Sequence, residues 1–276
     1  MTITGAALLA GVVGRPVAHS LSPVIHNAWI EAAGMDAVYA AFAPPDEAAF
    51  DLLIQAGRAG MIHGLNVTAP FKGQALACAD EASETARACG SANVLAFRDG
   101  RVRAHSTDGE GLLKALAEQA PDFDLTAGPV LFLGAGGAAR AAVAALLAGG
   151  AQEVVILNRT RDRAQALAET FDGRVGVAGD NPADIAGARL VINAVSGPMA
   201  FDFGSTPDAA AALEMTYKPL ETPFLMAARE RGLTGVDGLG MLTGQAGPSF
   251  EFIFDRPAPD LDARAVVLAH LQGLQP

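Results

Sequence analysis

A glycine-rich turn between two apolar runs constrains the fold of this chain more than any other feature. Residues 130–134 read VLFLG, the turn at 134–139 reads GAGGAA, and an alanine-rich stretch then leads to EVVILN at 153–158. Short apolar runs separated by a helical stretch are typical of a βαβ unit with parallel strands. Small residues in such a turn let the backbone approach a pyrophosphate at the helix N-terminus. The segment therefore predicts a Rossmann-type dinucleotide site.

The turn also predicts which residues contact the dinucleotide. The pattern G-x-G-x-x-A begins at the end of the predicted strand and runs into the predicted helix. The contact residues that it predicts are Gly134, Ala135, Gly136, Gly137 and Ala138. A turn of this kind can also be a packing device, but the strands on both sides complete the unit that binding requires.

The end of the second strand predicts which dinucleotide binds. An NAD site usually has Asp or Glu there, which holds the ribose 2′-hydroxyl. This chain has other groups in that place: Asn158, Arg159, Thr160 and Arg163. Guanidinium groups suit a 2′-phosphate, with which they form charge-assisted and often bidentate hydrogen bonds. The prediction is NADP, and the alternative is an exposed basic turn balanced by Asp162.

The overall charge and composition limit the possible partners. The chain has 276 residues, is 51% hydrophobic and carries a formal net charge of -11, which argues against adhesion to nucleic acid or anionic membrane. No stretch is long and apolar enough to span a bilayer, and the N-terminus lacks the basic segment of a secretory signal. The two cysteines and five histidines show no metal-ligand spacing. We expect a globular, cytoplasmic protein with no nucleic-acid or membrane partner and no bound metal.

The rest of the chain has the same alternation of short apolar runs and helical stretches. Residues 7–14 and 61–68 are predicted strands, with a helix predicted at 22–34 between them. A connecting helix is predicted at 110–119. The stretch APDFDLTAGP at 120–129 is the most linker-like in the middle of the chain. The chain is therefore predicted to be α/β, and the glycine-rich βαβ unit belongs to a second run of strands and helices, separate from the N-terminal one.

The segment GRPVAHSLSPVIHN allows two interpretations. Ser22 followed by Pro23 is a good pair for the N-cap and first position of a helix. A helix N-terminus with spare hydroxyl and N–H groups is also a site for a carboxylate, and Ser20 is not needed for capping. Spacing alone does not separate these interpretations.

Seven stretches resemble, in the same order, the signature stretches of the shikimate dehydrogenase family. They are GRPVAHSLSPVIHN, LNVTAPFK, STDGEG, GAGGAARA, NRTRDR, MTYKPLETPFL and DGLGMLTGQA. The resemblance implies a substrate-binding and catalytic α/β domain at 1–108 and 239–276, whose C-terminal helices return to it. It implies an NADP-binding Rossmann domain at 109–238. The implied reaction is the reversible, NADPH-dependent reduction of 3-dehydroshikimate to shikimate, an aromatic amino acid precursor, by a monomer or homodimer.

The resemblance also implies roles for single residues. Lys72 and Asp108 match the catalytic pair, which also binds substrate. The remaining positions that match substrate-binding residues are Ser20, Ser22, Thr68, Asn93, Tyr217 and Gln245. Three further positions match residues associated with the cofactor: Glu84, Met215 and Gly238.

Hydride transfer to a ketone requires a pair such as Lys72 and Asp108. The alkoxide that forms must be protonated, and the reverse oxidation must remove a hydroxyl proton. Lys72 is one of only three lysines in the chain, and its ammonium group can donate that proton. For Asp108 the alternative is an N-cap of a helix that starts after GEG at 109–111.

Two departures from the family pattern, at Val94 and Ser106, leave the substrate preference open. The family commonly has Thr, Asn and Asp where this chain has Val94, Ser106 and Glu214, and NATS where this chain has NAVS at 193–196. Because two of these lie beside Asn93 and Asp108, quinate is an alternative substrate. The chain could also be a dehydrogenase for another carboxylated small molecule, or a non-catalytic NADPH-binding regulatory protein. The presence of both Lys72 and Asp108 argues against a regulatory protein.

Overall fold

The computed structural model describes most of the chain, namely residues 3–179, 187–195, 197 and 199–273. The chain divides into two compact units. Unit 1 comprises Met1–Thr107 and Gln245–Pro276, and unit 2 comprises Asp108–Gly244. No helix in the described residues is both long enough and apolar enough to span a membrane.

Strands and helices alternate along both units. The strands of the described residues are β1 (Leu8–Val13), β2 (Ala37–Phe42), β3 (Gly64–Val67), β4 (Glu81–Ala82), β5 (Val94–Arg98), β6 (Arg101–His105), β7 (Val130–Leu133), β8 (Val154–Leu157), β9 (Val175–Val177), β10 (Leu190–Asn193), β11 (Ala211–Glu214) and β12 (Thr234–Val236). The α-helices are α1 (Ser22–Ala32), α2 (Glu47–Arg58), α3 (Lys72–Ala77), α4 (Glu84–Cys89), α5 (Asp108–Gln119), α6 (Ala139–Ala148), α7 (Arg161–Ala168), α8 (Pro223–Glu230), α9 (Gly238–Phe254) and α10 (Ala263–Gly273).

Unit 1 contains a mixed six-stranded sheet with the order β2-β1-β3-β5-β6-β4. β1 pairs in parallel with β2 and β3, whereas β5 is antiparallel to β3 and β6. β2 lies at an edge, where the Asn27 amide donates to the Tyr39 carbonyl at 2.9 Å and accepts from the Tyr39 N–H at 3.0 Å. The Asn27 side chain thus takes the place of a further strand and attaches α1 to the sheet edge.

Unit 2 contains a parallel six-stranded sheet with the order β12-β11-β10-β7-β8-β9. When its strands are numbered from β7, this is the order 3-2-1-4-5-6 of the Rossmann fold. Strands β7, β10 and β11 are buried along their whole length, as expected for a parallel sheet covered on both faces. The predicted βαβ unit is confirmed as β7, α6 and β8.

Alternate residues of the parallel strands enter two separate cores in unit 2. Val130 and Phe132 of β7 pack in one hydrophobic cluster, and Leu131 and Leu133 pack in the other. This alternation follows from the period of two along a strand. Apolar side chains on both faces explain why the strands of this unit are continuous hydrophobic runs in the sequence.

The boundaries between the units differ from those that the resemblance implied. The first unit boundary follows Thr107, one residue before the expected position. The second lies between Gly244 and Gln245, within α9, whereas the expected boundary was at the start of this helix. Residues 239–244 therefore group with unit 2. Gly244 contributes to this grouping, because a Cβ atom there would lie 3.0 Å from the carbonyl oxygen of Gly111 in α5.

A buried aromatic cluster of unit 1 contains one titratable ring. His26 of α1 is fully buried and stacks on Tyr39, with ring centroids 4.2 Å apart and planes at 6°. Trp29 meets the His26 ring edge-on at 5.7 Å. Neither ring nitrogen of His26 has a hydrogen-bond partner among the described residues, and burial lowers its pKa from 6.5 to about 3. The imidazole is therefore neutral in the folded protein.

We expect His26 to make the folded state less stable in mild acid. The unfolded chain protonates His26 near its ordinary pKa of 6.5, and the folded chain does so only near 3, so stability is complete above 6.5 and falls as the pH decreases through that window. From about pH 7 to pH 5, the free energy of unfolding should decrease by about 2 kcal/mol more in the wild type than in His26→Phe. Urea unfolding at both pH values measures this difference. Equal decreases in the two proteins would contradict it.

Candidate functional site

The glycine-rich turn leaves β7 at the position where the strand order of the parallel sheet reverses. Gly134 has φ +109°, a conformation that side chains rarely adopt, and a Cβ atom there would lie 3.3 Å from the carbonyl carbon of Ala194, which follows β10. Added Cβ atoms at Gly136 and Gly137 would contact nothing within 4 Å. The turn therefore presents open backbone at the crevice where Rossmann folds bind ligands.

The helix that follows the turn begins without a side-chain cap. Ala138 is the N-cap residue of α6 and forms no side-chain hydrogen bond, whereas the N-cap residues Asp46, Ser83 and Thr222 each accept one from the helix that they precede. The first N–H groups of α6 thus receive no side-chain acceptor at their cap. An N-terminus of this kind suits a pyrophosphate.

Asn158 connects the end of β8 to the glycine-rich turn. Its Oδ1 atom accepts from the N–H of Ala135 at 3.1 Å, and its amide nitrogen donates to the Thr160 carbonyl at 2.7 Å. The side chain therefore shapes both segments of the predicted cofactor site. A strand-end carboxylate is absent here, as the sequence indicated.

The predicted 2′-phosphate residues lie on the surface of unit 2. Arg159, Thr160 and Arg163 are exposed, and Arg163 is in the first turn of α7, whose N-cap also lacks a side-chain hydrogen bond. Within the described residues, no ion pair joins Asp162 to either arginine. The exposure of both arginines fits the 2′-phosphate prediction and the alternative of an exposed basic turn alike.

Met215 and Gly238 lie next to each other in unit 2. The N–H of Met215, directly after β11, donates to the Asn193 carbonyl at 2.9 Å. A Cβ atom at Gly238 would lie 2.5 Å from the Thr216 carbonyl oxygen and 2.9 Å from the carbonyl carbon of Met215. Only glycine fits at the start of α9, because the backbone of residues 215–216 passes so close to it.

The first helix of unit 1 begins at Ser22, not after it. Its N-cap residue is Leu21, which forms no side-chain hydrogen bond, and Pro23 follows in the first turn. The prediction that Ser22 is the N-cap is therefore wrong. The Ser22 N–H donates to Oγ of Ser20 at 3.3 Å, so the Ser20 side chain accepts from the first N–H group of the helix, although Ser20 was not expected to be needed there. This contact belongs to the start of the helix, and the carboxylate interpretation of the two serines stays a prediction.

Thr68 and Lys72 lie on the segment that joins β3 to α3. Thr68 packs on Gly14, where a Cβ atom would lie 2.2 Å from Cγ2 of Thr68, and its N–H donates to the Val13 carbonyl at 2.8 Å. Lys72 is the partly exposed first residue of α3, and its carbonyl accepts from the Ala92 N–H at 3.0 Å. These backbone contacts fix Lys72 near the chain segment that contains Asn93.

Asn93 and Gln245 meet in a buried polar network of unit 1. Nδ2 of Asn93 donates to Oγ1 of Thr107 at 3.0 Å and to Oε1 of Gln245 at 3.3 Å, and Oδ1 accepts from the Thr107 N–H at 2.8 Å. Oε1 of Gln245 also accepts from the hydroxyl groups of Thr107 and Ser249, each at 3.2 Å. Thr107 and Ser249 are fully buried. Two predicted substrate residues, separated by 152 positions in the chain, are thus brought into contact.

Sequence reasoning missed Thr107, Ser249 and a third polar residue, Asn66. Asn66 accepts from the Tyr39 hydroxyl at 2.7 Å, and its amide nitrogen lies 3.3 Å from the Asn93 carbonyl. Each missed residue lies within a recognised motif or one helical turn beyond it. Buried polar residues inside such motifs are the signal that was available.

The remaining predicted residues are distributed between the two units. Asp108 is the buried first residue of α5, which contains residues 109–111, so it is not the cap of a helix that starts after them. Tyr217 is partly exposed and lies in unit 2, whereas Ser20 and Ser22 lie in unit 1.

Glu84 is the predicted cofactor residue that lies in unit 1. It is exposed at the start of α4 in unit 1, whereas the glycine-rich turn, the β8 end, Met215 and Gly238 all lie in unit 2. Among the described residues there is no cluster of three or more His, Cys, Asp or Glu side chains that could hold a metal ion.

The fold and the glycine-rich turn define a two-unit α/β protein with a Rossmann-type dinucleotide-binding sheet. Family models match both halves of the chain: "Shikimate dehydrogenase substrate binding domain" at residues 12–95 and "Shikimate / quinate 5-dehydrogenase" at residues 115–201. The chain belongs to the shikimate dehydrogenase family.

Individual relatives are similar over almost the whole chain. Shikimate dehydrogenase (NADP(+)) of Caulobacter vibrioides is 52% identical over 277 residues, which cover 96% of each protein. The crystal structure of shikimate 5-dehydrogenase from Thermus thermophilus, in complex with NADP(H) and shikimate, has a TM-score of 0.83 and 35% identity, covering 95% of this chain and 99% of that one. The structure of quinate dehydrogenase from Corynebacterium glutamicum, in complex with NAD, has a TM-score of 0.87 and 28% identity, covering 95% of this chain and 99% of that one.

Proposed function

We propose that the chain catalyses the reversible, NADP-dependent interconversion of 3-dehydroshikimate and shikimate. The observation that carries this proposal is the 52% identity to an NADP(+)-dependent shikimate dehydrogenase over 96% of both chains. The buried contact between Asn93 and Gln245 supports it independently, because it brings two predicted substrate residues together. The enzyme is an oxidoreductase that acts on a CH–OH group.

The proposed carboxylate site is the N-terminus of α1, with Ser20 and Ser22 as hydrogen-bond donors. The backbone N–H groups of the first turn already have acceptors: the Ser22 N–H donates to Oγ of Ser20, and the Val24 N–H donates to the Leu21 carbonyl. The proposed donors to the carboxylate are therefore the two serine hydroxyl groups. Tyr217 is the third proposed contact of the carboxylate. Thr68, Asn93 and Gln245 are the proposed contacts of the ring hydroxyl groups.

The polar network gives Gln245 a defined orientation. Its Oε1 atom accepts from Asn93, Thr107 and Ser249, so the amide oxygen faces these three donors. The Nε2 group then faces the opposite direction and is a donor. We therefore assign Gln245 the role of donating a hydrogen bond to a ring hydroxyl oxygen. The Thr107 N–H donates to Oδ1 of Asn93 and so directs Nδ2 of Asn93 towards Gln245. Reversal of the Gln245 amide would place an N–H group against this donor, whereas the two hydroxyl groups can accept as well as donate.

Lys72 and Asp108 are the proposed catalytic residues. When bound, NADPH supplies the hydride that reduces the substrate ketone. The Lys72 ammonium donates the proton that the developing alkoxide requires, and in the reverse direction the neutral amine accepts it. The Asp108 carboxylate accepts a hydrogen bond from the reacting hydroxyl.

The residues of unit 2 fit NADP. The uncapped N-terminus of α6 and the open backbone at Gly136 and Gly137 suit the pyrophosphate. Two exposed guanidiniums, on Arg159 and Arg163, suit the 2′-phosphate. Met215 and Gly238 are the proposed contacts near the nicotinamide.

A steady-state assay with shikimate and quinate, each with NADP and NAD, tests this function. We expect reduction of NADP with shikimate to exceed the remaining three combinations in kcat/KM. Equal or better turnover with quinate would indicate the broader quinate/shikimate specificity that buried Val94 and Ser106 leave open. No turnover with either substrate would favour a regulatory NADPH-binding protein.

The proposal extends to location and assembly. We propose a cytoplasmic enzyme, which is consistent with Cys78 and Cys89 as free thiols. Its proposed oligomeric state is a monomer or a homodimer, and sedimentation velocity distinguishes these two.

A further inference from the structure

We infer that Glu214 is a positioning residue for the nicotinamide end of the cofactor site. It lies directly before Met215, and its carboxylate fixes the segment that leads to Tyr217. This inference rests on the proposed function, because Met215 and Gly238 are cofactor contacts only if the chain binds NADP there.

The Glu214 carboxylate accepts three hydrogen bonds in the interior of unit 2. The residue is the last of β11, and only 1% of its surface is exposed. Oε2 accepts from Nδ2 of Asn193 at 2.8 Å and from the Thr222 hydroxyl at 3.0 Å. Oε1 accepts from the Thr216 N–H at 2.9 Å. One side chain thus joins the end of β10, the segment after β11 and the start of α8.

Two of these donors, Asn193 and Thr222, make further hydrogen bonds to neighbouring segments. Asn193 accepts through its carbonyl from the Met215 N–H at 2.9 Å and through Oδ1 from the Val195 N–H at 3.1 Å. Thr222 is the N-cap of α8 and accepts from the Leu225 N–H at 3.2 Å. The residues directly after β10 and β11, at the carboxyl edge of the sheet, are therefore linked through the same carboxylate.

The start of α9 depends on the same segment. A Cβ atom at Gly238 would lie 2.5 Å from the carbonyl oxygen of Thr216. The N–H of Thr216 in turn donates to Glu214. A shift of residues 215–216 would therefore move Met215 and displace the start of α9 together. Hydride transfer depends on sub-ångström positioning, so such a shift lowers the rate even when the cofactor remains bound.

Structural stabilisation alone is a weak explanation for this residue. Within the described part of the chain, Glu214 forms no ion pair with a lysine or arginine. A buried carboxylate without a cation is costly, and an apolar side chain commonly stabilises a core at least as well. The three hydrogen bonds of Glu214 instead favour one arrangement of the segments that follow β10 and β11.

The test replaces the carboxylate by an amide of the same shape, in Glu214→Gln. The amide nitrogen cannot accept, so at least one of the three donors loses its partner. We expect kcat for shikimate oxidation to fall about tenfold or more and KM for NADP to rise. The Kd of adenosine 2′,5′-bisphosphate, which carries the 2′-phosphate but no nicotinamide, should change less than about twofold, since its contacts are at Arg159 and Arg163.

Two further variants complete the experiment. Glu214→Asp keeps a carboxylate, and we expect it to recover a large part of the lost kcat. Glu221→Gln is the matched control, because Glu221 is an exposed carboxylate seven residues along the chain that pairs with Arg229. This control should keep the wild-type kcat, KM and Kd.

The outcomes separate positioning from folding and from the proposed function. Unchanged kcat and KM in Glu214→Gln would overturn the inference. So would a loss of bisphosphate affinity as large as the loss of kcat, because the whole unit would then be disturbed. If the wild type shows no turnover, the proposed function fails, and the inference is judged by binding: Glu214→Gln must then weaken NADP but not the bisphosphate.

Discussion

Replacing Lys72 by alanine is expected to lower kcat for shikimate oxidation by about a hundredfold or more, with a much smaller change in KM. The ammonium group is proposed to transfer the proton of the reacting hydroxyl in the transition state, whereas the proposed contacts of the carboxylate and of the other ring hydroxyl groups are on different residues. Backbone contacts at both ends of the β3–α3 segment, including Ala92 N–H to the Lys72 carbonyl at 3.0 Å, are independent of the side chain. The variant should therefore fold and bind substrate.

Lys114 provides the control for this experiment. It is an exposed lysine of α5 that pairs with Glu118 at 3.1 Å, four residues along the helix. Such a surface pair contributes little, so Lys114→Ala should retain the wild-type kcat. A near-normal kcat in Lys72→Ala would contradict the catalytic role of Lys72, which would then be an ordinary surface lysine. Asp108 would become the leading catalytic candidate.

The elements that the sequence predicted well are those defined by local patterns. The strand, glycine turn, helix and second strand at 130–158 are confirmed, as is the helix at 22–34 apart from its last two residues. Periodicity and turn chemistry act over a few residues, so they are visible in the sequence. The predicted strand at 61–68 is shorter in the structure, where only Gly64–Val67 pairs with its neighbours.

The stretch at 120–129 shows how composition misleads. It contains Pro, Gly and Asp and has no helix or strand, yet it lies inside unit 2 and not between the units. Phe123 and Leu125 pack against the core of that unit. A segment without regular structure can be anchored by two apolar side chains, and their contacts with distant residues are not visible in local composition.

The polar network of unit 1 was only partly predictable for the same reason. Asn93 and Gln245 were identified by resemblance, but the hydroxyl groups that orient Gln245 were not. Thr107 and Ser249 lie 142 residues apart and meet, with their oxygen atoms separated by 2.9 Å, only when α9 packs beside the end of β6. Glu214 was noted only as a departure from the family, because its three donors come from segments that the sequence does not connect.

The second large effect is expected in the preference between cofactors. Replacing both Arg159 and Arg163 by alanine should weaken NADP binding and leave NAD binding nearly unchanged, because only NADP carries the 2′-phosphate. Charge-assisted hydrogen bonds contribute about 1.5 to 3 kcal/mol each in favourable settings, so the expected change in preference for the two arginines together is roughly a hundredfold or more. Both side chains are exposed, so solvent screening reduces this figure, and the loss should become smaller as salt rises.

Arg161 provides a control that separates the position of an arginine from its charge. It lies between the two arginines, is equally exposed, and begins α7. The chain carries a net charge of -11, so removal of any cation weakens anion binding slightly through the overall field. Arg161→Ala measures that general effect, and dissociation constants for NADP and NAD on all three proteins isolate the local one. If the double variant loses affinity for both cofactors equally, the arginines support the fold or the pyrophosphate, and the assignment of Arg159 and Arg163 to the 2′-phosphate fails even though the Rossmann sheet stands.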